Sequence, residues 1–186
     1  TILSESLALP CGATLPNRLC KAAMTEGLAT KAGEASDALI QLYGIWSDGG
    51  AGLLLSGNVL IDAYHLERPG NVVIDGVLTD SNRERLTAWA SAATRNGNHF
   101  WAQISHAGRQ TQKVVNPHPK APSAVKLGLP GGQFGEPIEL SRDEIQELVD
   151  RFANCADALK SCGFTGVQIH AAHGYLMSQF LSPRSN

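Results

Sequence analysis

What this sequence lacks narrows it first. No apolar run approaches the roughly 20 residues of a membrane-spanning helix. The longest candidate, Ala51–Leu55, is short and bounded by glycine and polar residues. Lys and Arg number 15 against 17 Asp and Glu, so no excess of either sign would draw nucleic acid or an anionic lipid surface. Cys11, Cys20, Cys155 and Cys162 form no C-x-x-C pair and are too few in 186 residues for a disulfide scaffold. Buried, reduced thiols are expected, with Cys155 and Cys162 on one side of a helix. No G-x-G-x-x-G or Walker-type loop follows a strand, so the common phosphate-binding loops are missing. Thr1–Glu5 has neither the basic and apolar parts of a signal peptide nor an initiator Met. That start reads as processed or trimmed, and the default location is cytoplasmic.

What is present is an alternation of short apolar runs with longer amphipathic stretches. Leu19–Met24 reads as a first strand. Ser36–Asp48 follows as a helix with Leu39, Leu42, Tyr43 and Trp46 on one face. Residues 52–57 form a second strand, apolar on successive positions as in a parallel strand covered on both sides. Ser81 and Glu84 have the spacing of a capping box for a helix bearing Leu86, Trp89, Ala90 and Ala93, with Gly97 as its stop. His99–Ser105 is a third strand. A loop-rich stretch with five prolines runs from His106 to Leu140, anchored by Val114-Val115 and Pro137-Ile138. Ser141 and Glu144 make another capping box. It opens a helix whose face is Ile145, Leu148, Val149, Phe152, Ala153, Ala156 and Leu159, ending at Gly163. The fourth strand is Gly166–His170. Parallel βα units follow from this order, and either a doubly wound sheet or a (β/α)₈ barrel would accommodate them.

Ligands in such folds bind at the C-terminal ends of strands. There the fourth strand delivers His170-Ala171-Ala172-His173-Gly174-Tyr175. Two imidazoles three residues apart can aim N–H groups at one carbonyl oxygen and stabilise developing negative charge. A phenol beside them is a plausible proton donor. The other strand ends offer Ala23-Met24-Thr25, Ser56-Gly57-Asn58 and Gln103, small or amide-bearing residues suited to the edge of a flat polar ligand. A metal site is the rival reading, with His106 as a possible third ligand. It lacks H-x-x-x-H spacing, and no Asp or Glu is close in sequence to the pair.

Leu15-Pro16-Asn17-Arg18-Leu19, Ala23-Met24-Thr25, Gln103-Ile104-Ser105-His106-Ala107-Gly108-Arg109, Ala121-Pro122-Ser123, His170–Leu176 and Gln179-Phe180-Leu181-Ser182-Pro183 together resemble the old yellow enzyme family of flavin oxidoreductases. The resemblance implies that residues 1–186 are the N-terminal half of a single FMN-binding (β/α)₈ TIM barrel, about four of its βα units. It implies hydride taken from NADH or NADPH and passed through FMN to an activated alkene such as an α,β-unsaturated carbonyl. His170 and His173 would hold the acceptor's electron-withdrawing group, and Tyr175 would protonate its α-carbon. Ala23, Met24, Thr25, Gly57, Asn58, Gln103 and His170 would line the flavin. Some relatives carry Cys at the position of Thr25 and Tyr near that of Gly27. A half barrel exposes two sheet edges, so a complementary C-terminal half, on a separate or missing chain, is the expected partner. The alternatives are a non-catalytic half barrel active only when complemented and, further off, a His-based metal hydrolase. Homo-oligomerisation is left open.

Overall fold

The computed structural model describes residues 1–186. The chain opens with a hairpin of β1 (Leu7–Ala8) and β2 (Thr14–Leu15). It continues through β3 (Cys20–Lys21), α1 (Asp37–Asp48), β4 (Leu53–Leu60), β5 (Val72–Val73), α2 (Asp80–Ala93) and β6 (His99–Ser105). The last elements are β7 (Lys120–Ala121), β8 (Ile138–Glu139), α3 (Arg142–Ser161), β9 (Gly166–Ile169) and α4 (Leu176–Leu181). No helix is long and apolar enough to cross a membrane.

The main sheet runs β3-β4-β6-β9, every pair parallel, with β5 joined to the far end of β4. Strand order therefore follows chain order without the reversal that defines a doubly wound sheet. The helices agree. Leu39 and Tyr43 of α1, Leu86 and Trp89 of α2, and Leu148 and Leu159 of α3 share one core with Leu54, Phe100, Ala102 and Ile104. All three helices thus cover the same face of the sheet, as in a barrel wall. On the other face Leu53 and Leu55 meet Leu15 of the hairpin, which closes over the N-terminal ends of the strands.

Local signals account for the helix starts. The Ser36 hydroxyl accepts from the Leu39 N–H, and Ser141 and Glu144 form the reciprocal capping box. The capping box expected at Ser81 does not form. Thr79, in extended conformation, accepts from the Asn82 N–H instead, and α2 begins two residues earlier. Along α3 the buried residues are Leu148, Cys155 and Leu159, whereas Val149 and Ala153 face outward. The buried stripe is narrower than the apolar pattern, and Ile145 and Phe152 are only half-buried beside Leu176 and Phe180 of α4. Cys155 and Cys162 are buried together, but Cys11 and Cys20 are exposed, contrary to expectation. Cys11 lies in the hairpin turn, and Cys20 faces the open interior of the wall.

Two strands differ from the sequence reading. β3 pairs over two residues only, because beyond Lys21 the chain peels away and crosses over Gly57. β4 does not stop at Gly57 but continues to Leu60 through a bulge: Leu55 pairs with Trp101, yet Asn58 pairs with Gln103. The Gln103 N–H, left without a backbone partner, donates to Ser56 Oγ at 2.8 Å. The Gly57 N–H donates to Glu26 Oε1 at 3.0 Å. A Cβ on Gly57 would collide with the Met24 carbonyl oxygen and the Glu26 carboxylate. Glu26 also accepts from the Tyr43 hydroxyl. Lys21 Nζ, 3.9 Å from Glu26, donates to the Leu55 carbonyl at 2.6 Å and to Tyr43 at 3.1 Å. Burial lowers the Lys21 amine to about 8, with Glu26 opposing the shift.

The segment from His106 to Leu140 is held by polar contacts more than by its expected anchors. Val114 and Ile138 are exposed, while Ala121, Pro122, Pro137 and Leu140 are buried. Its main tie is a stacked pair of imidazoles, His65 and His106, with ring centroids 4.4 Å apart. The Lys120 N–H donates to His65 Nε2 at 2.9 Å, and the Gly108 N–H to His106 Nδ1 at 3.1 Å. Each neutral ring then carries its hydrogen on the nitrogen facing Asp62. His65 Nδ1 lies 3.0 Å from Asp62 Oδ2, off the hydrogen-bond axis, and His106 Nε2 lies 4.0 Å away. Arg151 approaches the same oxygen at 3.7 Å.

Burial, then His65, push His106 down to about 3, against the pull of Asp62. Above pH 6.5 the ring is neutral both folded and unfolded. Below it the unfolded chain takes a proton that the folded chain refuses, so stability falls with pH until about 3. We expect His106→Asn, which keeps an acceptor for the Gly108 N–H, to remove about 2 kcal/mol of the stability lost between pH 6.5 and 5. Denaturant midpoints of both proteins across that range check it. Parallel pH profiles would exclude His106 as the titrating group.

Candidate active site

An open recess of about 380 Å³ lies at the C-terminal ends of the strands, lined by Ala23, Met24, Thr25, Asn58, Gln103, His170, His173 and Tyr175. Four separate strands deliver these residues. Ala23–Thr25 follow β3, Asn58 stands just beyond the bulge in β4, and Gln103 lies in β6. The two histidines and Tyr175 occupy the turn between β9 and α4. Of the residues expected along the flavin or the acceptor, Gly57 alone is outside the recess. It sits behind the wall against Met24 and Glu26, where it gives room for the crossing chain.

The recess is rich in hydrogen-bonding edges. Asn58 Nδ2 donates to Thr25 Oγ1 at 3.0 Å, leaving Asn58 Oδ1 buried without a partner. Gln103 Nε2 donates to Gln168 Oε1 at 2.8 Å, so the Gln103 carbonyl oxygen remains available. Gln168 was not among the sequence candidates. Its signal was register, since it pairs directly with Gln103 and shares its face.

His170 is buried, and its Nδ1 accepts from the Ala172 N–H at 3.3 Å. The hydrogen of the neutral ring is therefore on Nε2. Burial and then His173 lower the His170 pKa, so the ring is a neutral N–H donor at pH 7. Its centroid lies 5.3 Å from that of His173 and 4.7 Å from the Tyr175 ring, both edge-on. Burial raises the Tyr175 phenol. The Glu67 charge adds to that shift, while Arg68 and Asn58 oppose it. The hydroxyl keeps its proton through the neutral range. A carbonyl placed between these groups would meet one fixed imidazole donor, a second imidazole and a protonated phenol.

His106 does not join this group. Ile104 pairs with Ile169, which places His170 level with Ser105 and leaves His106 one residue further on with opposite parity. It points instead to Asp62 and His65, where the ligand atoms of the three residues lie within 4.8 Å of one another. That spacing suits a cation, but the donor set does not. Both ring nitrogens facing Asp62 carry hydrogens, because the opposite nitrogens accept backbone N–H groups. Metal-bound histidines show the reverse arrangement, with the distal nitrogen donating.

Comparison with known proteins places this geometry in a family. Residues 11–186 match the model of the NADH:flavin oxidoreductase / NADH oxidase family. The chain is 38% identical to an NADH-dependent flavin oxidoreductase (iliE) of Neonectria sp. (strain DH2), over 98% of this chain and 26% of that protein. It is 36% identical to the NADH oxidase of Thermoanaerobacter brockii, over 91% of this chain and 26% of that protein. Among solved structures it is similar to morphinone reductase, with a TM-score of 0.84 and 27% identity over 99% of this chain and 51% of that one. The old yellow enzyme homologue from Zymomonas mobilis gives 0.86 and 28%, over 100% and 53%. The chain thus spans about half of these structures and a quarter of the two longer relatives. Its four-stranded wall with helices on one face is half of a (β/α)₈ barrel, and the chain belongs to the NADH:flavin oxidoreductase / NADH oxidase family.

Proposed function

We propose that this chain forms the ligand-facing half of an FMN-dependent oxidoreductase that takes hydride from NADH or NADPH and delivers it to an activated alkene. The observation that carries this reading is the convergence of His170, His173 and Tyr175 on a recess whose other wall offers amide edges and small side chains. When bound, FMN supplies the hydride transfer between nicotinamide and acceptor, for which the side chains here have no chemistry of their own.

The residues fit such a group. Ala23 leaves room for a flat ring, and the unpartnered Asn58 Oδ1 and the free Gln103 oxygen offer acceptors to ring N–H donors. His170 Nε2–H and His173 hold the acceptor's carbonyl oxygen, and their hold strengthens as that oxygen gains charge. Tyr175 gives its proton to the α-carbon, a role its raised pKa supports. Phosphate binding and the remaining barrel strands come from polypeptide outside these 186 residues. In support, β3 and β9 each have one unpaired edge. Leu19, Met24, Ile169, Val149 and Leu181 are exposed apolar residues on the wall and its helices.

The first test is an absorption spectrum of the protein with its barrel completed, taken anaerobically before and after NADPH and then NADH. A flavin band that bleaches is expected; a colourless protein that takes up no FMN overturns the reading. Tyr175→Phe should slow alkene reduction by roughly 10²–10⁴-fold and leave flavin reduction by nicotinamide unchanged. Equal loss of both half-reactions in stopped-flow traces would rule out the proton-donor role. His170→Ala or His173→Ala should weaken binding of a phenolate by about 10–100-fold, the worth of a hydrogen bond to a charged group. Unchanged affinity in a spectral titration would remove those imidazoles from the site.

A further inference from the structure

His173 is the only non-glycine residue with a positive φ, 57°, and Gly174 follows at 77°. Two consecutive left-handed residues turn the chain sharply between the imidazole of His173 and the phenol of Tyr175. For a residue with a Cβ that conformation costs about 1–3 kcal/mol and persists only where surrounding contacts hold it. The contacts here come from two glutamines. Gln110, at the end of the turn after β6, donates from Nε2 to the His173 carbonyl at 2.6 Å. A Cβ on Gly174 would lie 2.5 Å from that same nitrogen, so the amide is pressed directly against the peptide between the two residues. Gln179 of α4 donates from Nε2 to the next carbonyl, that of Gly174, at 2.7 Å, and to Ala107 at 3.2 Å. Its Oε1 accepts from the Arg109 N–H at 3.2 Å. Successive carbonyls are thus tied to the segment 107–110 and to α4.

We infer that Gln110 is a positioning residue, whose amide holds His173 in its left-handed conformation and thereby sets the direction of the His173 imidazole relative to His170 and Tyr175. This rests on the proposed carbonyl-holding role of the histidines. Gln179 is fully buried and ties three segments together, so it belongs to the scaffold. Gln110 is part-exposed, and its side chain touches the site only through the His173 carbonyl. If that bond is lost, His173 relaxes toward ordinary backbone and its ring leaves the point where His170 Nε2–H is aimed.

The test uses the flavin-loaded enzyme with its complete barrel and 4-nitrophenolate as probe. Gln110→Glu keeps size and shape but replaces the donor with an acceptor; Gln110→Lys restores an N–H donor. We expect the Glu variant to bind the probe about tenfold more weakly, the loss of one hydrogen bond to a charged group. The Lys variant should recover most of that loss, with flavin content equal in all three proteins. A crystal structure of the Glu variant should show His173 away from positive φ. Unchanged affinity in the Glu variant, or equal weakening in the Glu and Lys variants, would overturn the inference. If the parent protein binds neither flavin nor phenolate, the functional reading fails on its own, and the His173 φ in the Gln110→Glu structure still decides the positioning claim.

Discussion

The site depends on one inserted residue in β4. Side chains alternate along a strand, so a shift of one position exchanges the two faces. Without the bulge at Ser56–Gly57, Asn58 would stand opposite Ile104 and point into the core, and Val59 would face the recess. With it, Asn58 stands opposite Gln103, and Val59 joins the core. The rest of the wall adapts to this choice. The Ser56 hydroxyl replaces the backbone partner Gln103 has lost, and the freed Gly57 N–H is met by Glu26. Glu26 brings a carboxylate into the layer between sheet and α1, where Lys21 and Tyr43 answer it. An ion pair in such a layer is weak evidence for net stability. Here its arrangement follows from the extra residue.

The strand ends use histidine in two ways from one local rule. His106 after β6 and His170 after β9 each fold back to accept the N–H of the residue two further on, which fixes the hydrogen on Nε2. What differs is where that hydrogen points. Opposite parity in the register sends His106 outward to a carboxylate, where it clamps a long segment, and His170 inward to the recess. The first is structural, and the second faces open space beside a phenol. Parity in the sheet divides these roles, and the amino-acid type alone does not.

Much of this was legible in the sequence, and what was not has identifiable causes. His99–Ser105 and the α3 start are as read, because strict periodicity and a capping box leave little choice. The recess gathers every residue expected along the flavin or the acceptor except Gly57, because strand ends in parallel folds converge. Gly57 misled in one respect. It reads as a strand terminator, yet it lies mid-strand and allows a backbone crossing. The start of α2 was misplaced because two hydroxyl residues, Thr79 and Ser81, compete for the cap and spacing favours the wrong one. The choice between a barrel and a doubly wound sheet needed strand order, which no local pattern carries. Gln110 and Gln179 were equally hidden, since their importance lies in which distant carbonyl they meet.

The left-handed turn at His173 also restricts how this position can evolve. A replacement there must tolerate positive φ, which favours glycine, asparagine and aspartate. It must also present an N–H toward the recess, which glycine and an ionised aspartate lack. Asparagine alone meets both demands, so neutral drift at residue 173 has essentially one destination, and any other substitution must be accompanied by a change in the loop that carries Gln110.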